Sequence, residues 1–314
     1  MVSPLVVVEL QHLLAAWNDV KAENWSENTK KAYSSRWNKY YAFCKEYIFT
    51  PLPATVTMVC LYITHLMKTL SFVSIKNYIS SLWVLHDYFG VSHVDPDSFL
   101  IKCTINGAKR VLGSATRQVD PLYPTDLLSI FYTLKMKKWS DFTFWCAIVV
   151  SYRCLLRASH VSTSPHTMRV KDVLFWEGGM DISIYSSKTI QFSERTQLIP
   201  IVSAPGSPLC PVEPMEIYIK KCGLKPDDHL FSYTYKSFSA RLKMACSDAK
   251  LRGDYSTHSI RRGSATYLSS FLPLHEVKQY GDWRSLAVLL YISDNYRSRR
   301  NKDKLVADRL MDFV

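Results

Sequence analysis

Residues 257–292, THSIRRGSATYLSSFLPLHEVKQYGDWRSLAVLLYI, carry the pattern from which the rest of the chain is read. His258 and Arg261 are three apart, so the helical period sets them on one face. Thr257 is placed to cap that helix, whose positive end then points to the same spot. A short helix, LHEVKQY, stops at Gly281, and SLAVLLYIS is a further apolar segment carrying Tyr291. An H-x-x-R pair alone is common on solvated helix surfaces, with Arg262 as one more solvated charge. It gains weight from Arg157 in LLRASH, Lys188 in SSKTIQF and Trp283 in GDWRS. Two guanidinium groups, an ammonium, an imidazole and an indole N–H can all donate hydrogen bonds to phosphate oxygens, and a phenol can attack phosphorus.

Residues 116–314 read as mainly helical with one small sheet. The stretch 113–123, GSATRQVDPLY, breaks the helical period and is the linker candidate. Pro124-Thr125-Asp126 opens a helix, and a strongly apolar one runs from Ser140 to the neighbourhood of Arg157. The period then changes to two. VLFW (173–176), DISIYS (181–186) and TQLIPIV (196–202) predict a three-stranded antiparallel meander. Gly178-Gly179 supplies the first turn, and Lys188 falls in or beside the second. Helices resume at MEIYIKKC and KSFSARLKMACSDAK.

Residues 1–115 read as four or five short helices. In the first, Asn28 is the expected cap and Tyr33, Trp37, Tyr40, Cys44 and Tyr47 share a face. A second follows Pro53. A third has Ser74 as cap and Gly90 as stop, and a fourth covers SFLIKCTINGAKRVL. The expected fold class is therefore mainly α with a small antiparallel sheet (α+β), divided into domains at 1–115 and 116–314.

Composition narrows the partners. With 47% hydrophobic and 13% aromatic residues, the 314-residue chain can bury two cores. Its net charge of +12 favours a polyanion, and the charge is uneven: about +3 on residues 1–116 and about +9 on 117–314. None of the eight cysteines forms a C-x-x-C pair, which predicts buried reduced thiols rather than a disulfide framework. The start, MVSPLVVVELQHLL, lacks a signal peptide's basic region, and no apolar run approaches the ~18 residues of a membrane span. No P-loop and no clustered metal-ligand spacing appears, so neither cofactor nor metal is expected.

Taken in order, LLRASHVSTSP, SSKTIQFSERTQLIPI and the 257–292 stretch resemble the first box, the lysine-bearing hairpin and the second box of the tyrosine recombinase (phage integrase) superfamily. The form is similar to the recombinases of eukaryotic DIRS, Ngaro and Crypton mobile elements. NTKKAYSSRWNKYYAFC and SIKNYISSL resemble that family's N-terminal core-binding domain. The resemblance implies a SAM-like helical domain and a catalytic domain that together form a C-shaped clamp on double-stranded DNA. It implies a site-specific recombinase working in the nucleus as a homotetramer on DNA, with a monomer allowed without it. In that scheme Tyr291 is the nucleophile, Arg157 and Arg261 clamp the scissile phosphate, and Lys188 protonates the departing 5′-oxygen. His258 handles the tyrosine proton and Trp283 donates its indole N–H. Residues 298–314, with Leu305, Leu310, Met311 and Phe313, would be the segment passed between subunits.

Alternatives stand beside these roles. Tyr296, Tyr280 and Tyr267 are rival nucleophiles, Lys188 has an ordinary turn lysine as its bland reading, and Trp283 has plain core. His160 lies where relatives carry an acidic or amide residue, and a charged imidazole there would repel Arg157 and lower activity in acid. Candidate DNA contacts are Lys30, Lys31, Ser74, Lys76 and Asn77 at two helix starts, and Lys109, Arg110 and Arg117 around the linker. The run NYRSRRNKDK is a phosphate patch, an import signal or solvated charge. The competing functions are a domesticated DNA-binding protein that retains only the clamp, and a metal-dependent nuclease, which lacks its carboxylates here.

Overall fold

The computed structural model describes residues 16, 19–21, 23–115, 118–192, 194–292 and 311. The chain divides into two compact units, 1–117 and 118–314.

The first unit is built from α1 (Glu27–Glu46), α2 (Val56–Met67), α3 (Phe72–Phe89) and α4 (Phe99–Leu112). Tyr40, Phe43 and Cys44 of α1 meet Val59, Tyr62, Ile63 and Leu66 of α2 and Ile75, Ile79 and Leu82 of α3 in one core. These are the i, i+3/i+4 positions that give each helix its apolar stripe. Trp37 is half-buried at its margin, Tyr33 is half-buried against Trp25, and Tyr47 is exposed at the end of α1 rather than on the buried face. Two caps lie upstream of the expected residues. Ser26, not Asn28, accepts from the Thr29 N–H, and Ser71, not Ser74, accepts from the Ser74 N–H, each at 3.4 Å. Both serines are extended, with ψ near 155°, so either can turn its hydroxyl onto the first free N–H groups. α3 stops at Gly90, which is left-handed with φ +66°.

In the second unit α5 (Pro124–Thr133) precedes α6 (Trp139–Arg153), which is buried over every residue from Phe144 to Tyr152. A helix apolar all round belongs at a core's centre. Around it lie the short α7 (Ala158–Val161), a sheet of β1 (Val173–Trp176), β2 (Gly179–Ile184) and β3 (Gln197–Val202), then α8 (Val212–Cys222) and α9 (Tyr235–Asp248). The sheet is an antiparallel meander in the order β1-β2-β3. Its first turn takes a positive φ at Gly178 alone, because Gly179 already pairs with Trp176 and Val202. Next come α10 (Thr257–Leu268), α11 (Leu274–Tyr280) and a 3₁₀ turn at Leu286–Leu290. The cap of α10 is Ser256, whose Oγ accepts from the His258 N–H at 3.2 Å, so Thr257 is instead the first, buried residue of the helix.

All eight cysteines are free. Cys44, Cys146, Cys154, Cys210 and Cys246 are buried and Cys60 half-buried, but Cys103 and Cys222 sit on outer helix faces and are exposed. Among the described residues no helix is long and apolar enough to cross a membrane.

The segment entering the second unit is laid directly on α10. Leu122 N–H donates to Ser259 O at 3.0 Å, and a methyl group on Gly263 would stand 1.7 Å from Leu122 O. Gly263→Ala is therefore expected to lower stability by about 1–3 kcal/mol through forced overpacking. A denaturant midpoint equal to wild type would show that the segment lifts away freely.

Candidate active site

The first arginine is placed by a break in the chain. α6 ends at Cys154, Leu155 takes a left-handed conformation with φ +49°, and Arg157 begins the next turn. Its backbone N–H donates to His160 Nδ1 at 3.2 Å. The Arg157 side chain is half-buried and makes no ion pair among the described residues.

His160 is only 3% exposed, and burial, then Arg157 and Arg261, push its pKa down to about 3. The imidazole is thus uncharged across the range where the sequence suggests repulsion. With Nδ1 accepting, the ring proton belongs on Nε2. The titration has a consequence for stability rather than for Arg157. Between pH 6.5 and about 3 the unfolded chain binds the proton and the folded chain does not, so stability present above pH 6.5 is lost as pH falls through that window. His160 alone can steepen the loss by up to about 1.4 kcal/mol per pH unit. Asn at this position keeps an acceptor for the Arg157 N–H. His160→Asn should therefore flatten the acid limb of a stability–pH curve measured by denaturant titration. A variant with the wild-type slope would assign the acid sensitivity elsewhere.

Arg261 comes from the middle of α10 and is 3% exposed. One terminal nitrogen donates to Leu155 O and the other to Gly281 O at 2.5 Å, while Nε has no partner. Its guanidinium carbon lies 4.1 Å from the centre of the Trp283 ring and 5.4 Å from that of Tyr291. Burial and Arg157 lower its pKa to about 9, partly offset by Tyr291 and Asp282, so it is charged at neutral pH. No carboxylate pairs with it among the described residues. A buried cation with a free donor and no counter-ion is a site for an incoming anion.

His258 sits one turn before Arg261 and keeps an exposed edge. Packing on its inner side, with Arg261 and Arg157, holds its pKa below the ordinary histidine value. Its ring centre is 6.5 Å from that of Tyr291. Trp283 is buried in a small cluster with Leu155, Ala265, Val277 and Val288, its ring 5.1 Å from Tyr291. It folds back over Gly281, where a methyl group would stand 1.8 Å from the indole. The ring face carries Arg261, which gives Trp283 a packing role the sequence does not disclose. Tyr291 is half-buried and closes the 3₁₀ turn. Its carbonyl accepts from Thr266 Oγ1 at 3.3 Å, and the carbonyl just before it, Leu290 O, accepts from Arg262 at 3.0 Å. Arg262 therefore fixes the tyrosine segment instead of being a solvated charge.

Lys188 is exposed in a tight turn whose ends, Ser187 and Ile190, exchange backbone hydrogen bonds. That turn is tied to the Trp283 segment, because Thr189 Oγ1 and Arg195 both donate to the Asp282 carboxylate. His258, Arg261, Trp283 and Tyr291 thus lie together, Arg157 acts on Arg261 and His258 through its charge, and Lys188 is linked through its loop. Asp282, Arg262 and Gly281 are additions. The acid in GDW, set in a basic region beside a candidate site residue, is the signal that could have pointed to the first.

In the first unit Lys30, Lys31, Ser34, Ser35 and Asn38 line an open polar groove on α1. Lys30 is already paired with Glu27 and Glu23, whereas Lys31 is exposed. Lys76 and Asn77 are exposed on α3, Ser74 shares hydrogen bonds with the Ser71 cap, and Lys109 and Arg110 are exposed at the end of α4. Arg117, Tyr296 and the rest of NYRSRRNKDK, and the 298–314 segment apart from exposed Met311, lie outside the described residues. Among the described residues no group of three or more His, Cys, Asp or Glu could hold a metal ion.

No protein-family model matches the chain, and no curated protein matches it by sequence. Solved structures do match by fold. The Tn1549 transposon integrase in complex with transposon right end DNA aligns with a TM-score of 0.63 at 16% identity, over 90% of this chain and 95% of that one. The XerH site-specific recombinase bound to palindromic difH substrate gives 0.62 at 14%, over 87% and 77%. A lambda integrase dimer bound to a COC′ core site gives 0.57 at 16%, over 91% and 96%. The chain shares its fold with these integrases and this recombinase.

Proposed function

We propose that the protein is a site-specific DNA recombinase that cuts and rejoins DNA through a covalent 3′-phosphotyrosyl intermediate. The observation that carries this reading is the buried, counter-ion-free Arg261, held by two backbone carbonyls between Trp283 and Tyr291. An anion at that point lies beside a phenol and a neutral imidazole, which is what in-line attack on a phosphodiester requires.

In the reaction, Arg157 and Arg261 bind the two non-bridging oxygens and offset the charge that grows on phosphorus. Tyr291 Oη forms a bond to phosphorus as the bond to the 5′-oxygen breaks. The phenolic proton passes to His258, whose lowered pKa keeps it free to accept. Lys188 gives its proton to the leaving 5′-oxygen. The phosphotyrosyl ester preserves the bond energy, so a 5′-hydroxyl can reverse the step without ATP. Trp283 supports Arg261 with its ring face and offers its indole N–H to the same phosphate.

The same reading extends to a C-shaped clamp on DNA in which the α1 groove, Lys76, Asn77, Lys109, Arg110 and Arg117 meet the phosphate backbone. It includes a homotetramer on DNA, nuclear action and the integration or excision of a eukaryotic mobile element. Exposed Leu286, Leu289 and Leu290, in the turn that ends at Tyr291, are suited to receive the 298–314 segment of a neighbouring subunit. The lineage rests on the sequence resemblance alone.

The test is a nicked suicide duplex carrying candidate element ends, incubated with the protein in EDTA and run on a denaturing gel. A denaturation-resistant protein–DNA adduct is expected. Tight binding with no adduct on any end sequence would favour a DNA-binding protein without catalysis.

A further inference from the structure

Between β2 and β3 the chain runs through twelve residues, among them Lys188. This connection is joined to the turn at 280–284 by a row of polar contacts. Thr189 Oγ1 donates to one carboxylate oxygen of Asp282 and Arg195 to the other, both at 2.5 Å. Arg284 donates to Glu194 at 2.8 Å, and Gln197 Nε2 donates to Tyr280 O at 3.1 Å. The Asp282 side chain is 13% exposed, so its pair with Arg195 is better shielded from water than an ordinary surface ion pair. Asp282 also holds a left-handed backbone with φ +53°, which disfavours most side chains by about 1–2 kcal/mol. Glycine would sit there without strain, but it would leave Thr189 and Arg195 without their acceptor.

We infer that Asp282 is the positioning residue of the lysine loop, fixing the turn that carries Lys188 to the segment that carries Trp283. Asp282 does not touch the phosphate. It acts because a general acid on an exposed turn delivers its proton only when the turn is held, and Thr189, the anchored residue, is the lysine's immediate neighbour. The inference rests on the recombinase reading for its chemical consequence but not for its structural one.

Two measurements separate these. The first is hydrogen exchange on the intact protein. In a Thr189→Val/Arg195→Ala double variant, which leaves the 281–283 turn in place, and in Asp282→Asn, amides of 187–197 should exchange at least ~10-fold faster while α6 and α10 keep their protection. Unchanged exchange in both variants overturns the inference whatever the protein does to DNA. The second is single-turnover cleavage of normal DNA against DNA with a bridging 5′-sulfur at the scissile position. A thiolate leaves with a pKa of ~8.5 and needs no proton, unlike an alkoxide. Both variants should cut normal DNA about 10²-fold more slowly and the sulfur substrate at the wild-type rate. Equal slowing on both substrates would assign Asp282 to Trp283 and Arg261 instead, and would overturn the inference. Wild-type protein that cuts neither substrate, with the loop still released in the variants, would overturn the recombinase reading and leave the Asp282 anchor standing.

Discussion

Tyr291→Phe is expected to abolish the covalent adduct completely while leaving folding and DNA affinity at wild-type levels. The substitution removes one oxygen and nothing else. The ring's contacts with Trp283 and Arg261, at 5.1 and 5.4 Å between centres, persist in phenylalanine. The segment is further held by backbone acceptors, Leu290 O and Tyr291 O, which the substitution does not touch. Stability should therefore change little, and binding, which comes from cations elsewhere, should keep its salt dependence. Chemistry must stop, because no other described phenol touches Arg261. Tyr267 packs on Phe271 and is exposed, and Tyr280 is exposed at the end of α11. Tyr267→Phe and Tyr280→Phe should retain the adduct on the same denaturing gel. Adduct surviving in Tyr291→Phe but lost in Tyr296→Phe would falsify the choice of nucleophile.

Periodicity made much of the architecture legible. The apolar stripes of α1 and α3, the shift to period two at 173–202 and the Gly90 stop are properties of side-chain order, which a linear reading senses directly. Helix starts were less legible. Ser26, Ser71 and Ser256 each lie within a few residues of another plausible cap, and the choice depends on where the chain leaves extended backbone. The site residues were legible as types, but their partners were not. Arg261 is held by Leu155 O and Gly281 O, and a backbone carbonyl carries no residue identity that a sequence could advertise. His160 illustrates the same limit from the electrostatic side. Its neighbours suggested repulsion with Arg157, whereas burial keeps the ring neutral and turns the conflict into a hydrogen bond. Arg262 looked like surface charge because its partners, Gln118 and Leu290, lie far away in sequence.

Arg261→Lys should slow single-turnover cleavage by about 10³-fold, and the reason lies in geometry more than charge. Arginine here does three things at once: it donates to Leu155 O, donates to Gly281 O, and leaves Nε and its remaining N–H groups for an anion. Its planar fork reaches two separated carbonyls without losing the third direction. A lysine ammonium is a single point with three donors and cannot span both carbonyls while facing a phosphate. Losing preorganised donors to a developing phosphorane costs about 10²–10³ in rate for each one removed. A carbonyl left buried without its donor adds a stability penalty of about 1–3 kcal/mol, which urea unfolding would register. An apolar replacement separates the two contributions. Arg261→Met removes the buried charge and its desolvation cost together with the hydrogen bonds, so its stability should change less than the broken contacts suggest. Its cleavage should nevertheless fall at least as far as that of the lysine variant. If Arg261→Lys cuts within tenfold of wild type, positive charge alone suffices and the carbonyl-anchored fork is not what holds the phosphate. If both variants are slow yet Arg261→Met is nearly as stable as wild type, the residue is held in the core for catalysis at little benefit to the fold. That outcome is the one expected of a buried guanidinium whose counter-ion arrives with the DNA.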